Sequence, residues 1–371
     1  MADRPLYPVN RRHLDALTGP LGIWQHASGT VPDEAFGYCT DDVARALLVD
    51  LLHRRELGWD AVAASARRSL RFLRDAFDPA IGRFRNFRDR GGSWLEVVGS
   101  EDSQGRAVLA LGAAAGTAPD DDFVAEAASL FADALPAVAH LTALRATASA
   151  LLGCGHALDA GLRDGAERTF EVLASRLARA FVAVEHDRDW PWPEQVLTYE
   201  NALLPRALIA AGARTGDAEL GRKGLHVLDW LIRVQTTIGG SFSAVGSDGW
   251  WPRGGARSRF DQQPIEATSM ILAAEAAFDE TGEARYVRIR EAAYAWFLGD
   301  NDMDVPLADP GRGACHDGLT PRGANLNEGA ESTLMWLTAL EHVRAMRATA
   351  GGEGGPTRPS LAAPVLAGAP S

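Results

Sequence analysis

Apolar residues recur at helix spacing through most of this chain. In stretches such as 42–57 and 59–77, small alanines alternate with Leu, Val and Arg so that one face stays apolar over several turns. Twelve such segments predict helices near 8–17, 41–57, 59–77, 102–116, 121–135, 139–161, 163–184, 194–214, 217–236, 264–281, 284–299 and 328–347. The helices pair, and short turns join the members of a pair, as at 212–217 and 279–283. In these turns a Gly ends the first helix and an acid favours the start of the second. Thr215-Gly216-Asp217 matches Thr281-Gly282-Glu283, and Trp230 matches Trp296 at the same offset, a faint internal repeat. Both tryptophans are assigned to the core.

Longer loops at 78–101, 185–193, 237–263 and 300–327 join one pair to the next and hold many Gly, Trp, Arg and Asn. Loops of that length in a compact domain are usually functional or disordered, and these are too aromatic for disorder. Fragments such as 240–245 are expected to form β-hairpins. From Ala350 the chain turns to Gly, Pro, Ala and Ser without periodicity. Residues 1–348 are therefore expected to form one domain, and 349–371 a disordered tail. Twelve helices in six hairpins, with the long loops on one side, describe an all-α (α/α)6 toroid. Its inner helices begin on the loop-rich face, so their free N–H groups and positive dipole ends point at a common cleft.

Carboxylates stand at nearly every loop-to-helix join. The joins are Tyr38-Cys39-Thr40-Asp41-Asp42, Ser100-Glu101-Asp102-Ser103, Trp190-Pro191-Trp192-Pro193-Glu194, Phe260-Asp261-Gln262-Gln263-Pro264-Ile265-Glu266 and Asn325-Leu326-Asn327-Glu328-Gly329-Ala330-Glu331. Each acid has a bland reading as a helix cap, and one member of each adjacent pair is expected to do only that. Glu328 and Glu331 lie on one helical face, where Glu328 suits a capping box with Asn325 or Asn327. Glu331 sits deeper, toward the axis. Trp190, Trp192, Trp250 and Trp251 cluster in loops, where indoles can stack on pyranose faces. Because two tryptophans flank Pro191, at least one is expected to meet ligand. Amides such as Gln262, Gln263 and Asn201 match sugar hydroxyls as paired donors and acceptors.

These stretches, with Phe36-Gly37-Tyr38-Cys39-Thr40-Asp41-Asp42-Val43-Ala44-Arg45 and Leu197-Thr198-Tyr199-Glu200-Asn201-Ala202, resemble the six-hairpin glycosidase superfamily over residues 1 to about 348. They look like bacterial glycosidase-like or glycosyltransferase-related proteins. That superfamily holds hydrolases, unsaturated-uronide hydrolases, epimerases and phosphorolytic relatives, so fold alone does not fix the reaction. The resemblance implies a glycosidase pairing one carboxylic acid with one carboxylate. Its candidates are Asp42, Asp102, Asp261, Glu266 and Glu331. Substrate contacts are expected from His26, Tyr38, Asp41, Glu101, Trp190, Trp192, Glu194, Tyr199, Asn201, Trp250, Trp251, Arg253, Gln262, Gln263, His316, Asn327 and Glu328. Two rivals stand beside hydrolysis. In a sugar epimerase His26 or His316 would be essential; in a non-catalytic glycan-binding partner of a glycosyltransferase the acids would only bind.

Composition narrows the partners. The 371 residues are 46% hydrophobic and carry a net charge of 37 − 49 = −12. That acidity argues against nucleic acid and anionic membrane surfaces. Cys39, Cys154 and Cys315 are too scattered for a disulfide framework or zinc site and are expected to be reduced thiols. The start, Met1-Ala2-Asp3-Arg4-Pro5, lacks a signal-peptide apolar region, and no apolar run is long enough to span a bilayer. A cytoplasmic location is expected. No His-x-x-x-His, EF-hand loop or cysteine cluster indicates a metal, and Gly254-Gly255 lacks the strand a phosphate loop needs. No cofactor is expected.

Overall fold

Burial sorts the helices of this chain into two classes, and the classes define the architecture. In the computed structural model, residues 4–351 are described. The helices are α1 Arg12–Leu17, α2 Thr40–Leu57, α3 Trp59–Ala76, α4 Glu101–Thr117, α5 Asp121–Val138, α6 Leu144–Asp159, α7 Ala166–Val182, α8 Leu203–Thr215, α9 Ala218–Val234, α10 Pro264–Thr281, α11 Ala284–Phe297 and α12 Ala330–Gly351. Helices such as α3 bury one stripe, here Val62, Ala66, Leu70 and Leu73. Helices such as α2 and α10 are buried on nearly every side. A helix buried on nearly every side belongs in an interior. Accordingly α2 packs on α4, α4 on α6, α6 on α8, α8 on α10, α10 on α12, and α12 back on α2, closing a ring. Helices α3, α5, α7, α9 and α11 lie outside, each against the inner helix before it, and α1 packs on α12. This is the expected (α/α)6 toroid.

The ring is tightest between α4 and α6, where glycines let two backbones touch. A Cβ on Gly112 would overlap the Gly153 carbonyl oxygen, and one on Gly153 would sit 2.6 Å from the Val108 carbonyl oxygen. The matched turns after α8 and α10 behave as the repeat suggested. Gly216 and Gly282 end those helices at φ +72° and +69°, a conformation that costs Gly little. Trp230 and Trp296 are both buried.

Several expectations change. Helix starts are capped by Cys39 and Ser100, not by the acids that follow them. The Cys39 sulfur accepts from the Asp42 N–H, and the Ser100 hydroxyl from the Ser103 N–H. Neither Asn325 nor Asn327 caps α12. Asp317 reaches over from the preceding loop and accepts from the Gly329 N–H at 2.8 Å and the Ser332 hydroxyl at 2.9 Å. The segment read as a helix over 194–214 is helical only from Leu203. Residues 194–202 stay irregular because Asn201 bonds back to the Thr198 N–H and C=O, and Glu200 takes φ +47°. The first helix spans 12–17 rather than 8–17. Residues 240–245 form no hairpin; Thr236 and Phe242 share an isolated bridge instead. A hairpin does form at Trp24–Ser28 and Val31–Cys39, with Phe87–Arg88 as third strand, on the loop-rich face. The tail expected over 349–371 overlaps the end of α12, and its remainder, 352–371, lies outside the described residues. Among the described residues no helix is long and apolar enough to cross a membrane.

The glycine contacts generate a paired test. Gly112→Ala should lower unfolding free energy by about 1–3 kcal/mol, because overpacking outweighs the better helix propensity of Ala. Gly155→Ala, whose Cβ would meet nothing closer than 3.8 Å, should be neutral or stabilising by about 0.5–1 kcal/mol. Denaturant titration of both variants checks the contrast.

Candidate active site

The hairpin and the starts of α2, α10 and α12 enclose a cavity of ≈ 330 Å³ on the loop-rich face, with Phe87 and Arg106 on the remaining wall. Its floor is ionic. Arg45, one turn into α2, donates to Asp42 Oδ1 at 2.9 Å and reaches Glu331 Oε2 at 2.8 Å. Asp42 is buried, whereas the Glu331 side chain keeps 39% of its surface open. The Cys39 thiol donates to the other oxygen of Asp42 at 3.0 Å. Burial pushes Asp42 up to about 6, aided by Glu331 and Asp41 and opposed by Arg45. Its neighbour Asp41 goes the other way. Burial would raise it, but Arg106 and Arg45 outweigh burial and hold its carboxyl below the usual range. Two adjacent carboxyls whose environments drive them apart are a common arrangement for acid and base roles.

A second guanidinium ties this floor to the neighbouring loop. Arg106 on α4 holds Asp41 at 2.8 Å and Glu200 at 2.9 Å, with Asp102 at 3.8 Å. Asp102 also accepts from the Tyr199 hydroxyl at 2.5 Å. A third, Arg145 on α6, holds Glu194 at 2.9 Å, the Tyr199 carbonyl at 2.5 Å and Asn201 at 3.2 Å, and it covers the Tyr199 ring. Glu266 completes the loop's support. It is buried, accepts from the Glu200 N–H and from Asn201 Nδ2 at 3.0 Å, and is pushed up to about 7 by burial.

Of the candidate residues, the structure brings His26, Asp41, Asp42, Gln263 and Glu331 together on the cavity wall. Asp102 and Tyr199 stand behind Arg106; Glu194, Asn201 and Glu266 hold the 194–202 loop. The rest lie elsewhere. Glu101 accepts from the Thr142 and Ala143 N–H groups and so anchors the start of α6. Trp190 and Trp192 are 4% and 1% exposed, pack against Trp230, and donate to Glu194, so neither offers a face to the cavity. Trp251 lies parallel to Trp230 at 6.1 Å; Trp250 is near Tyr199. Arg253 pairs with Asp187 on an exposed loop. Gln262 is saturated, accepting from Ala244 N–H and Trp296 Nε1 and donating to Asp302 and the Arg259 carbonyl. Asp261 takes φ +56°, and its carbonyl accepts from Ser247. Tyr38 is buried against Trp24. Asn327 accepts from Gly29 N–H and pins the hairpin tip. Glu328 is buried and paired with Arg312, with His316 3.6 Å away. Among the described residues no three His, Cys, Asp or Glu side chains are placed to hold a metal ion.

Arg45, Arg106 and Arg145 were not among the site residues expected from the sequence. Arg45 and Arg106 lie three and four residues after Asp42 and Asp102, the spacing at which opposite charges meet on a helix, so that signal was present. Arg145 and Glu200 had no local signal, because their partners are distant in sequence. Removing Arg106 should leave Asp41 and Glu200 as part-buried charges without that partner. Arg106→Met is expected to cost about 3–5 kcal/mol of stability, measured by thermal or denaturant unfolding.

No protein-family profile matches the chain, and no curated protein matches its sequence. Solved structures do match. A D-mannose isomerase superposes with a TM-score of 0.68 at 12% identity, covering 91% of this chain and 96% of that one. A cellobiose 2-epimerase from Spirochaeta thermophila gives 0.67 at 15% identity, with the same coverage of 91% and 96%. A GH76 α-mannanase from Bacteroides thetaiotaomicron gives 0.62 at 11% identity, covering 85% and 88%. At such identities the likeness is one of fold, and that fold is the (α/α)6 toroid.

Proposed function

We propose that the protein is a carbohydrate-active enzyme that hydrolyses a glycosidic bond at the Asp42–Glu331 site. The observation that carries this reading is the pair itself. Two carboxyl groups flank one guanidinium on the cavity floor, one buried and held protonated up to about pH 6, the other open to solvent. Asp42 gives its proton to the leaving oxygen as the C1–O bond breaks. Glu331 takes a proton from the water that attacks C1, or attacks C1 itself before water releases the sugar. Either route adds one water across one bond. Arg45 keeps both groups in place, and His26 and Gln263 offer hydrogen bonds to sugar hydroxyls. The solved structures of the same fold, whose titles name a mannose isomerase, a cellobiose epimerase and a mannanase, support a sugar substrate. The three cysteines are unpaired and buried, which supports a reducing, cytoplasmic setting.

A second reading, a sugar isomerase or epimerase, is favoured by His26 on the cavity wall. It would have a base remove the proton α to a carbonyl, with His26 essential. The two readings separate in one experiment. The protein is incubated in D2O with α- and β-linked gluco- and manno-oligosaccharides and with free mannose, glucose and cellobiose, and products are followed by NMR. Hydrolysis yields a new reducing end without deuterium at C2; epimerisation yields deuterium at C2, and isomerisation a ketose with deuterium at C1, both without cleavage. Binding without either change would overturn the enzymatic reading.

Two predictions follow the roles. Asp42→Asn and Glu331→Gln should each lower kcat by 10²-fold or more, in the range of lost acid–base catalysis, with sugar binding by titration calorimetry retained. Asp42 must be protonated to act, and its carboxyl is raised to about 6. Turnover should therefore hold below pH 6 and fall tenfold per unit above it. A profile rising through pH 6 would remove Asp42 from the acid role.

A further inference from the structure

Below the ionic floor lies a second cavity on the toroid axis, ≈ 80 Å³ in volume. Arg45 and Arg106 line both cavities and so form the partition between them. Its walls mix apolar side chains such as Leu48, Leu109, Ile265 and Met335 with the hydroxyls of Ser149, Thr268, Ser269 and Thr338, and Glu200 also lines it. One more arginine enters it. Arg206, in the first turn of α8, lines the cavity but, unlike the arginines above it, holds nothing. Among the described residues its side chain makes no hydrogen bond and has no carboxylate oxygen within 4.0 Å. The acids nearest in charge are already engaged: Glu200 with Arg106 at 2.9 Å, and Glu275 with His342 at 2.7 Å. His156, also on the wall, is depressed to about 4 by burial and by Arg206, so it stays neutral and compensates no charge.

A guanidinium cannot shed its proton at ordinary pH, and a charge drawn largely out of water without a partner is costly. Arg45, Arg106 and Arg206 line this cavity against a single carboxylate, Glu200, and an anion from solution would offset that excess of positive charge. The cavity is the size of about two or three water molecules at liquid volume, which admits a halide and excludes a monosaccharide. We propose that Arg206 binds a small monovalent anion of halide size in the axial cavity. The anion would also leave Glu200 wholly to Arg106, and so steady the clamp on Asp41.

The test uses the full chain with bromide as probe. Crystals soaked in bromide should show an anomalous peak in the axial cavity at hydrogen-bond distance from the Arg206 guanidinium; absence of that peak overturns the proposal. In solution, bromide or chloride should raise Tm saturably, by about 2 °C or more, relative to gluconate, too large for the cavity, at constant ionic strength. Arg206→Met should lose that response. A halide response surviving in the variant would place the stabilising ion elsewhere and overturn the assignment. If the variant does not fold, the wild-type diffraction decides alone.

Discussion

The mouth of this ring depends on one constraint: a carboxylate taken out of water must be given a cation or a set of hydrogen-bond donors. Glu266 is buried on amide donors, whereas buried Asp42 and largely buried Asp41 meet guanidiniums. Each guanidinium that meets them spans more than one element. Arg45 links α2 to α12, closing the ring where its two ends meet. Arg106 links α4 to α2 and to the loop before α8. Arg145 links α6 to that same loop. The three cations therefore tie the inner helices together in sequence around the face that carries the site. Apolar packing builds the wall of the toroid, but these pairs determine how its rim is shaped, and the desolvation that makes them costly also makes them rigid once formed.

The same economy explains why the acids differ in character. Asp41 and Asp42 are neighbours in sequence, yet one is held ionised and the other pushed up to about 6. The division follows from partners. Asp41 receives Arg106 in addition to the field of Arg45. Asp42 shares Arg45 with Glu331, so the cation is divided between two anions. Cys39 contributes twice, capping α2 through its sulfur and donating its thiol proton to Asp42. A residue that composition marks only as a reduced cysteine thus sits at the centre of the site's hydrogen bonding.

Helix number, pairing and the all-α toroid were legible in the sequence, because a 3.6-residue period and Gly-terminated turns are local properties of the chain. The joins between loop and helix were legible too, and Asp41, Asp42, Gln263 and Glu331 reached the cavity from them. The hairpin at 24–39 was not, since its strands are held by pairing across the chain to Phe87–Arg88 and by Asn327 at its tip. Nor was the fate of the loop tryptophans. Trp190 and Trp192 stand beside prolines in a polar stretch, but Trp230 on α9 stacks on Trp192 and meets Trp190 edge to face.

The sequence by itself determined the inventory: twelve helical segments, polar loops gathered on one side, and carboxylates where those loops become helices. Only the tertiary structure decided which carboxylates face a common space. Glu101 and Asp102 are adjacent, yet one anchors the start of α6 and the other joins the Tyr199–Arg106 network. Glu328 and Glu331 are three residues apart, but α12 begins only at Ala330; Glu328 is sealed against Arg312 before the helix, and Glu331 opens to the cavity from its first turn. The physical reason is that hydrophobic period is written within each segment. The partner of a buried charge is a residue tens or hundreds of positions away, brought near only when the ring closes.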